Sequence, residues 1–513
     1  MFDVTTYAYN SARTGESSDT TISPANVGTL AAVWHHAVGY ETQPVIATKV
    51  TNVPYDGGTH NIVYVGAFGT FTALDAYTGV TLWTKSVPQG QQICVGEPAA
   101  PFGISGTPVI DRSANVIYVP DGIHQIHALD LASGGEKAGW PVDLVASGSD
   151  DGSQSDLREF LHTALTLVNG KIYAGTSSTC DLTPWKGRVA MIDVASHTLL
   201  ATFYPVFGQG GIKYSGGGVW GWGGVSYDGS AIYTGVGNAD TNPQSGTFVN
   251  TSDETVGYGE HILRLSTDLS TVQDWNIPIV VPNPASASDI DLSGTPVLFQ
   301  PPGCNPLLAV QGKAGFLMIY NRNNLIAGPI FKAQFSESTD TSHYIGNPAY
   351  SSQTGYLYAS VANGYGGYQP GMAILKPSSN CSQWTVVNPA FGPDSIALQN
   401  SFGGTYPRSA LTVANGVAFI GTPDGVLWAR DAVTGVALWD STSLWAANTS
   451  ATGDQIRMGP VVTGGWVYVV QVNSGTLWAL KASGATSSSS LRRGIMTQPL
   501  PAPPIIHPPF RRH

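Results

Sequence analysis

YVGAFGTFTALDAYTGVTLW, from Tyr64 to Trp83, and FIGTPDGVLWARDAVTGVALW, from Phe419 to Trp439, are two copies of one phrase. In each, an Asp is followed by Thr at +3, Gly at +4 and Trp at +8: Asp75, Thr78, Gly79 and Trp83, then Asp431, Thr434, Gly435 and Trp439. The spacing has a mechanical reading. Asp caps a tight turn, Gly takes the positive-φ corner, and the Trp opening the next strand can lie flat against a neighbouring unit. Weaker copies, each an apolar-aromatic-small strand followed by a turn, centre on Tyr118, Tyr173, Tyr233, Lys313, Tyr358 and Tyr468. Eight copies of short alternating strands, at a period of about 50 to 60 residues, predict an all-β fold, an eight-bladed β-propeller of four-stranded antiparallel blades.

The ends predict how the ring closes. The last copy stops at ALKASG (Ala479 to Gly484) without a Trp-bearing fourth strand, while TLAAVWHHAV near residues 29–38 is an orphan strand of that type, with Trp34. The N-terminal strand should therefore complete the eighth blade and remove two open sheet edges. A propeller grows by repetition around an axis, so residues 1–485 read as one domain despite their length. From about Ser487 the chain turns Pro-rich and basic without alternation, and 486–513 reads as a disordered tail.

Composition agrees with a turn-rich β protein: 61 Gly, 34 Pro, 13 Trp and 22 Tyr, with only 11% charged residues. A net charge of −11 argues against a nucleic-acid partner, because neutralising phosphates requires a basic surface. No run approaches the roughly 20 apolar residues of a membrane span. The opening MFDVTTYAYN lacks the basic and apolar regions of a signal peptide. Sparse charge, abundant Ser, Thr and Gly, and four cysteines without zinc-finger spacing nevertheless favour a periplasmic or secreted location. C-x-x-C-H, P-loop, G-x-S-x-G with triad partners and H-E-x-x-H are all absent.

The phrase ALDAYTGVTLW, the opening RTGESSDTTISPANVGTLAAVW and the central VWGWGGVSYDGSAIYTGVGN resemble the pyrroloquinoline-quinone (PQQ) propeller superfamily. That superfamily includes the quinoprotein alcohol dehydrogenases and polyvinyl-alcohol-dehydrogenase-like proteins, and also propellers without a cofactor. The resemblance covers residues 5 to 485 and implies a quinone in the central funnel with calcium at its edge. By the same resemblance, Trp222 in WGGVSYD is the stacking Trp and Asn238 in TGVGN a calcium-ligating amide. Asp291 in SDIDLSG is the base and a metal contact, and Lys313 in GKAG faces the quinone oxygens. Asn363 in SVANG and Glu41 in ETQPV contact the cofactor, and His162 in FLHTALTL could face the funnel. These roles make chemical sense. An aromatic floor suits a planar quinone, calcium takes hard oxygen ligands, and a carboxylate beside them accepts a hydroxyl proton.

The sequence also departs from that pattern. The family's adjacent cysteine pair is reduced to Cys94, and the Arg that follows the pair has no counterpart near Phe102 and Gly103. The third-blade segment GTSSTCD places Cys180 where a calcium-binding Glu is expected, leaving Asp181 to reach the metal. Structural readings compete with each functional one: Trp residues pack blades together, and Asp, Asn and Lys commonly serve turns. Four cysteines allow three pairings. Joining like regions of the ring favours Cys304–Cys381, between blades five and six, and Cys94–Cys180.

Two functions follow. One is a PQQ-dependent dehydrogenase oxidising a small or polymeric alcohol or polyol to a carbonyl. It would pass electrons to a separate acceptor such as a cytochrome c, since no c-type haem motif is present. The other is a cofactor-free secreted propeller acting as a binding or assembly scaffold, with a calcium- or glycan-binding propeller as a third reading.

Overall fold

The computed structural model describes residues 1–92, 99–145, 158–178, 185–206, 215–242, 247–249, 257–278, 291–336, 346–362, 365–368, 370–387, 409–423, 425–445 and 455–484. Eight four-stranded antiparallel blades form a ring. Blade 1 is Val45–Val50, His60–Gly66, Thr70–Asp75 and Thr81–Ser86, and blades 2 to 7 repeat the meander, beginning at Val109, Thr166, Ser226, Val297, Ala349 and Thr412. The first strands of blades 1 to 3 touch in succession, as do those of blades 4 to 8, so the first strands line the axis. Middle strands such as His60–Gly66 are buried over most of their length, whereas the outer Thr81–Ser86 buries only Leu82 and is otherwise half-buried or exposed.

Blade 8 closes the ring as its sequence predicts. Val461–Thr463, Trp466–Gln471 and Thr476–Lys481 pair in order, and Ala31–Ala37 supplies the outer strand, with His35 opposite Trp478.

The repeated phrase explains the seams between blades. Asp75 Oδ1 accepts from the backbone N–H of Tyr77 at 3.1 Å and of Thr78 at 2.9 Å, and from Thr78 Oγ1 at 2.9 Å. Asp431 holds Val433 and Thr434 in the same way. Gly79 (φ 72°) takes the left-handed corner, and a methyl group there would lie 2.7 Å from Trp34 Cδ2, so the corner must be glycine for the indole to lie on it. Trp34 Nε1 and Tyr468 Oη, both from blade 8, donate to Ala76 O in that turn, at 3.1 and 2.8 Å. Trp83 and Tyr64 grip Leu131 O of blade 2 identically, at 3.1 and 2.9 Å. Between blades 5 and 6 the seam instead carries the Cys304–Cys381 disulfide, with Cα atoms 5.6 Å apart. The Cys94–Cys180 pairing and the tail beyond residue 484 lie outside the described residues.

One feature is not legible in the sequence. Before reaching blade 8, residues 2–17 run around the inside of the ring. Phe2 exchanges hydrogen bonds with Thr463 of blade 8, and Val4 bridges Ile46 of blade 1. The carbonyls of Thr5, Ser11, Ala12, Thr14 and Gly15 then accept from Ile110, Tyr227, Leu298, Tyr350 and Val413, in blades 2, 4, 5, 6 and 7. Glu16–Ser17 finally pairs in parallel with Thr412–Ala414.

Candidate functional site

In such a ring, the loops between blades and the loops joining second to third strands emerge on one face. Glu41, His162, Trp222 and Asp291 lie on the former, and Asn238 and Lys313 on the latter. All six therefore stand around the same end of the axis.

Three of them meet where blades 4 and 5 adjoin, and a fourth, His162, packs against the Trp220 ring beside them. Lys313 Nζ donates to Asp291 Oδ2 at 2.5 Å, and the Asn238 backbone N–H donates to Asp291 Oδ1 at 2.7 Å. Asp291 is fully buried and Lys313 is 6% exposed. A buried carboxylate holding two such donors is stabilised in its ionised form. The Trp220 ring completes the group, with Lys313 Nζ 5.9 Å from its centroid. Gly237 makes this approach feasible: a methyl group there would lie 2.3 Å from Asp291 Oδ1 and 2.5 Å from Trp220 Nε1.

His162 is the fourth member, its ring centroid 5.7 Å from Trp220 and 4.9 Å from Phe102. Burial pushes its pKa down to about 4, so the imidazole is neutral at ordinary pH. A bond with the Ser178 backbone uses one side of the ring. Its Nε2 is buried without a hydrogen-bond partner among the described residues. An orphaned polar atom of this kind, on a ring that packs against Trp220, is suited to meeting a ligand.

Trp222 stands elsewhere in the funnel. It belongs to an apolar cluster with Tyr7, Ala8, Ala164, Ala410 and Met458. Ala164, Ala410 and Met458 precede blades 3, 7 and 8, so a side chain from the approach to blade 4 that packs with them lies across the axis. The two indoles of VWGWGG thus lie apart: Trp222 packs in the apolar cluster at the axis and Trp220 beside the Lys313–Asp291 pair. Glu41 is on the far side, in a buried ion pair with Arg457 Nη1 from the approach to blade 8. Asn363 and Asp181 lie outside the described residues.

The sequence assigns no functional role to Arg457 or Glu260, and Trp220 reads there only as blade packing. Glu260 is buried and accepts the Leu292 N–H at 3.1 Å, one residue from Asp291. The only available signals were the second Trp of WGW and a lone Arg just before the final blade; nothing near Glu260 marks it.

The described residues offer a planar quinone indoles and the unpartnered Nε2 of His162, whereas the cations Lys313 and Arg457 are each already paired with a carboxylate, Asp291 and Glu41. Calcium is less well served: Asp291, Asn238 and Glu260 fall short of the six to eight oxygens it takes. No group of three or more His, Cys, Asp or Glu able to hold a metal occurs among the described residues.

No family model matches the chain. It is 23% identical over 451 residues to the polyvinyl alcohol dehydrogenase of Sphingopyxis sp. (strain 113P3), a match covering 78% of this chain. The chain spans 63% of that relative's length. Among solved structures it resembles the quinohemoprotein alcohol dehydrogenase ADHIIG of Pseudomonas putida HK5, with TM-score 0.62 and 16% identity, over 98% of this chain and 83% of the other. A europium-containing methanol dehydrogenase superposes with TM-score 0.61 at 16% identity, over 94% of this chain and 98% of the other. At these identities the structural likeness establishes the fold.

Proposed function

We propose that this chain, a quinoprotein-alcohol-dehydrogenase-like eight-bladed propeller and distant homologue of polyvinyl alcohol dehydrogenase, is a PQQ-dependent dehydrogenase oxidising an alcohol or polyol to a carbonyl. The observation that carries this reading is the buried Asp291–Lys313 pair beside Asn238 and Trp220, set above an axial Trp222. PQQ, when bound, would supply the two-electron acceptor that no side chain provides.

The chain's own groups divide the remaining work. Asp291, ionised and positioned by two donors, accepts the substrate hydroxyl proton. Lys313 places positive charge where an oxyanion develops. His162 offers Nε2 to orient a bound oxygen, Glu41 and Arg457 form the opposite wall, and Trp222 gives a flat apolar floor. Asn238, with Asp181 and Asn363, would complete the metal and cofactor contacts, and no step here depends on the metal. Electrons leave to a separate acceptor such as a cytochrome c. A periplasmic or secreted location accords with the Cys304–Cys381 disulfide.

The test is alcohol-dependent reduction of an electron-accepting dye by protein incubated with PQQ and calcium. Turnover with primary, secondary or polymeric alcohols supports the proposal; its absence across all of them, despite bound PQQ, refutes it. The scaffold reading draws on a specific observation, that both Asp291 oxygens already have protein partners, as a purely structural carboxylate would.

A further inference from the structure

We infer that the N-terminal segment, residues 2–17, is the base plate of the funnel, and that Tyr7 is the positioning residue holding Trp222 in place on the axis. An eight-bladed ring leaves a central channel, and its short first strands, such as Ser226–Tyr227 and Ala349–Tyr350, do not fill it. The segment fills it instead. Its bonds to seven blades, added to the Arg13 contacts with blade 3, mean that it touches the entire circle.

At Tyr7 the segment leaves this inner track and turns toward the axis. Ala8, Tyr9 and Arg13 all adopt left-handed backbone conformations (φ 51°, 71° and 61°), although none is glycine. Such conformations persist only where the surroundings over-determine them, and they gather at sites where position matters. The surroundings here are specific. Ala8 N donates to Gln43 Oε1 at 2.8 Å, and Gln43 Nε2 donates to Gly459 O at 2.7 Å. Arg13 Nη1 donates to Tyr7 O at 3.0 Å, while Nη2 binds Leu165 O and Thr166 Oγ1 at 3.2 and 2.5 Å.

The product of this turn is a fully buried Tyr7 ring within the Trp222 cluster. It lies so close to the backbone beside Trp222 that a methyl group on Gly223 would stand 3.0 Å from Tyr7 Cε1. Tyr7 Oη reaches Asn347 Oδ1 at 3.3 Å, on the approach to blade 6. An indole on the axis of an open channel would have solvent behind it and freedom to tilt. Backed by Tyr7 and Ala8, Trp222 is buried, 4% exposed, and that backing closes the approach to it from the side of the N-terminal segment.

The inference concerns the placement of Trp222 and rests on the dehydrogenase reading only in its PQQ arm. In the full chain, the Trp222 contribution to acrylamide quenching is isolated by subtracting the Trp222→Phe protein, in wild-type, Tyr7→Ala and Tyr7→Phe backgrounds. Tyr7→Ala should make the Trp222 emission several-fold more quenchable and weaken PQQ binding about tenfold. Tyr7→Phe keeps the ring, should shield Trp222 as the wild type does, and should change PQQ affinity less than twofold. If Tyr7→Ala does not fold, Tyr7→Leu replaces it, with the same expectation in smaller degree. Trp222 remaining as shielded in the truncating variant as in the wild type overturns the inference. So does exposure in Tyr7→Phe equal to that in Tyr7→Ala. Failure of the wild type to bind PQQ defeats the proposed activity, and the quenching result still decides this inference.

Discussion

Lys313 and Asp291 form a buried ion pair, Nζ to Oδ2 at 2.5 Å, across the junction of blades 4 and 5. Removing one member of such a pair strands the other charge, at a cost of about 3–5 kcal/mol, whereas replacing both is far milder. Lys313→Met should therefore lower stability by more than the double variant Lys313→Met/Asp291→Asn does. Denaturant melts of these proteins and of Asp291→Asn check this, and a double-variant loss equal to the sum of the two single losses would show that the pair is not coupled.

Asp291→Asn keeps the shape and removes the proton acceptor. Dye-linked turnover should fall by about 10²–10⁴-fold, the usual contribution of a positioned base, while PQQ affinity changes little. A variant with undiminished turnover would remove Asp291 from the mechanism.

The seam between blades 8 and 1 makes a prediction about stability alone. Gly79→Ala places a methyl group 2.7 Å from Trp34 Cδ2 on a left-handed backbone, and should cost about 1–3 kcal/mol. Trp34 is half-buried, so Trp34→Ala should cost about 2 kcal/mol, below the range for fully buried aromatics. Thermal melts check both, and because the two changes disrupt one contact, their sum should exceed the loss in the double variant.

His162 sets a pH dependence. Its folded pKa of about 4 lies below the unfolded value near 6.5, so below pH 6.5 the unfolded chain takes up a proton that the folded one refuses. Stability is complete above pH 6.5 and falls as the solution is acidified toward pH 4. His127 acts in the opposite sense. Asp121 and Glu136 raise its pKa despite its burial, so its contribution is full below pH 6.5 and fades as pH rises through the folded value. Between pH 7.5 and 5 the His162 effect amounts to about 2 kcal/mol. The pH 5 minus pH 7.5 difference should shrink by that amount in His162→Gln, as measured by melts at the two pH values.

Cys304 and Cys381 are 77 residues apart, and closing a loop of that size stabilises by about 4 kcal/mol in the chain-entropy model. Reduction, or Cys304→Ser/Cys381→Ser, should lower the melting temperature accordingly. Non-reducing peptide mapping should recover the two peptides joined.

What was legible in the sequence was local or periodic. Asp75, Thr78, Gly79 and Trp83 announce a turn because capping and positive φ are properties of a few adjacent residues. Trp34 could be assigned to blade 8 because the final repeat lacked a strand. The path of residues 2–17 was not legible, since its bonds run from backbone carbonyls to seven distant strands and leave no periodicity in MFDVTTYAYNSARTGES. The candidate site was read through a family pattern, which named Asp291, Lys313, Asn238 and Trp222 but had no means of indicating that Trp220 supplies the indole beside Lys313. Nor could it pair Glu41 with Arg457, 416 residues away.

The central claim is that the funnel above Trp222 binds a quinone, and the most direct measurement is an absorbance titration of purified protein with PQQ, with and without millimolar calcium. Binding should saturate at one PQQ per chain in the micromolar range. Trp222→Ala should weaken it about fivefold or more, the equivalent of the roughly 1 kcal/mol that aromatic stacking contributes. Absence of saturable binding by the wild type in either condition, or affinity unaltered by Trp222→Ala, would contradict the claim.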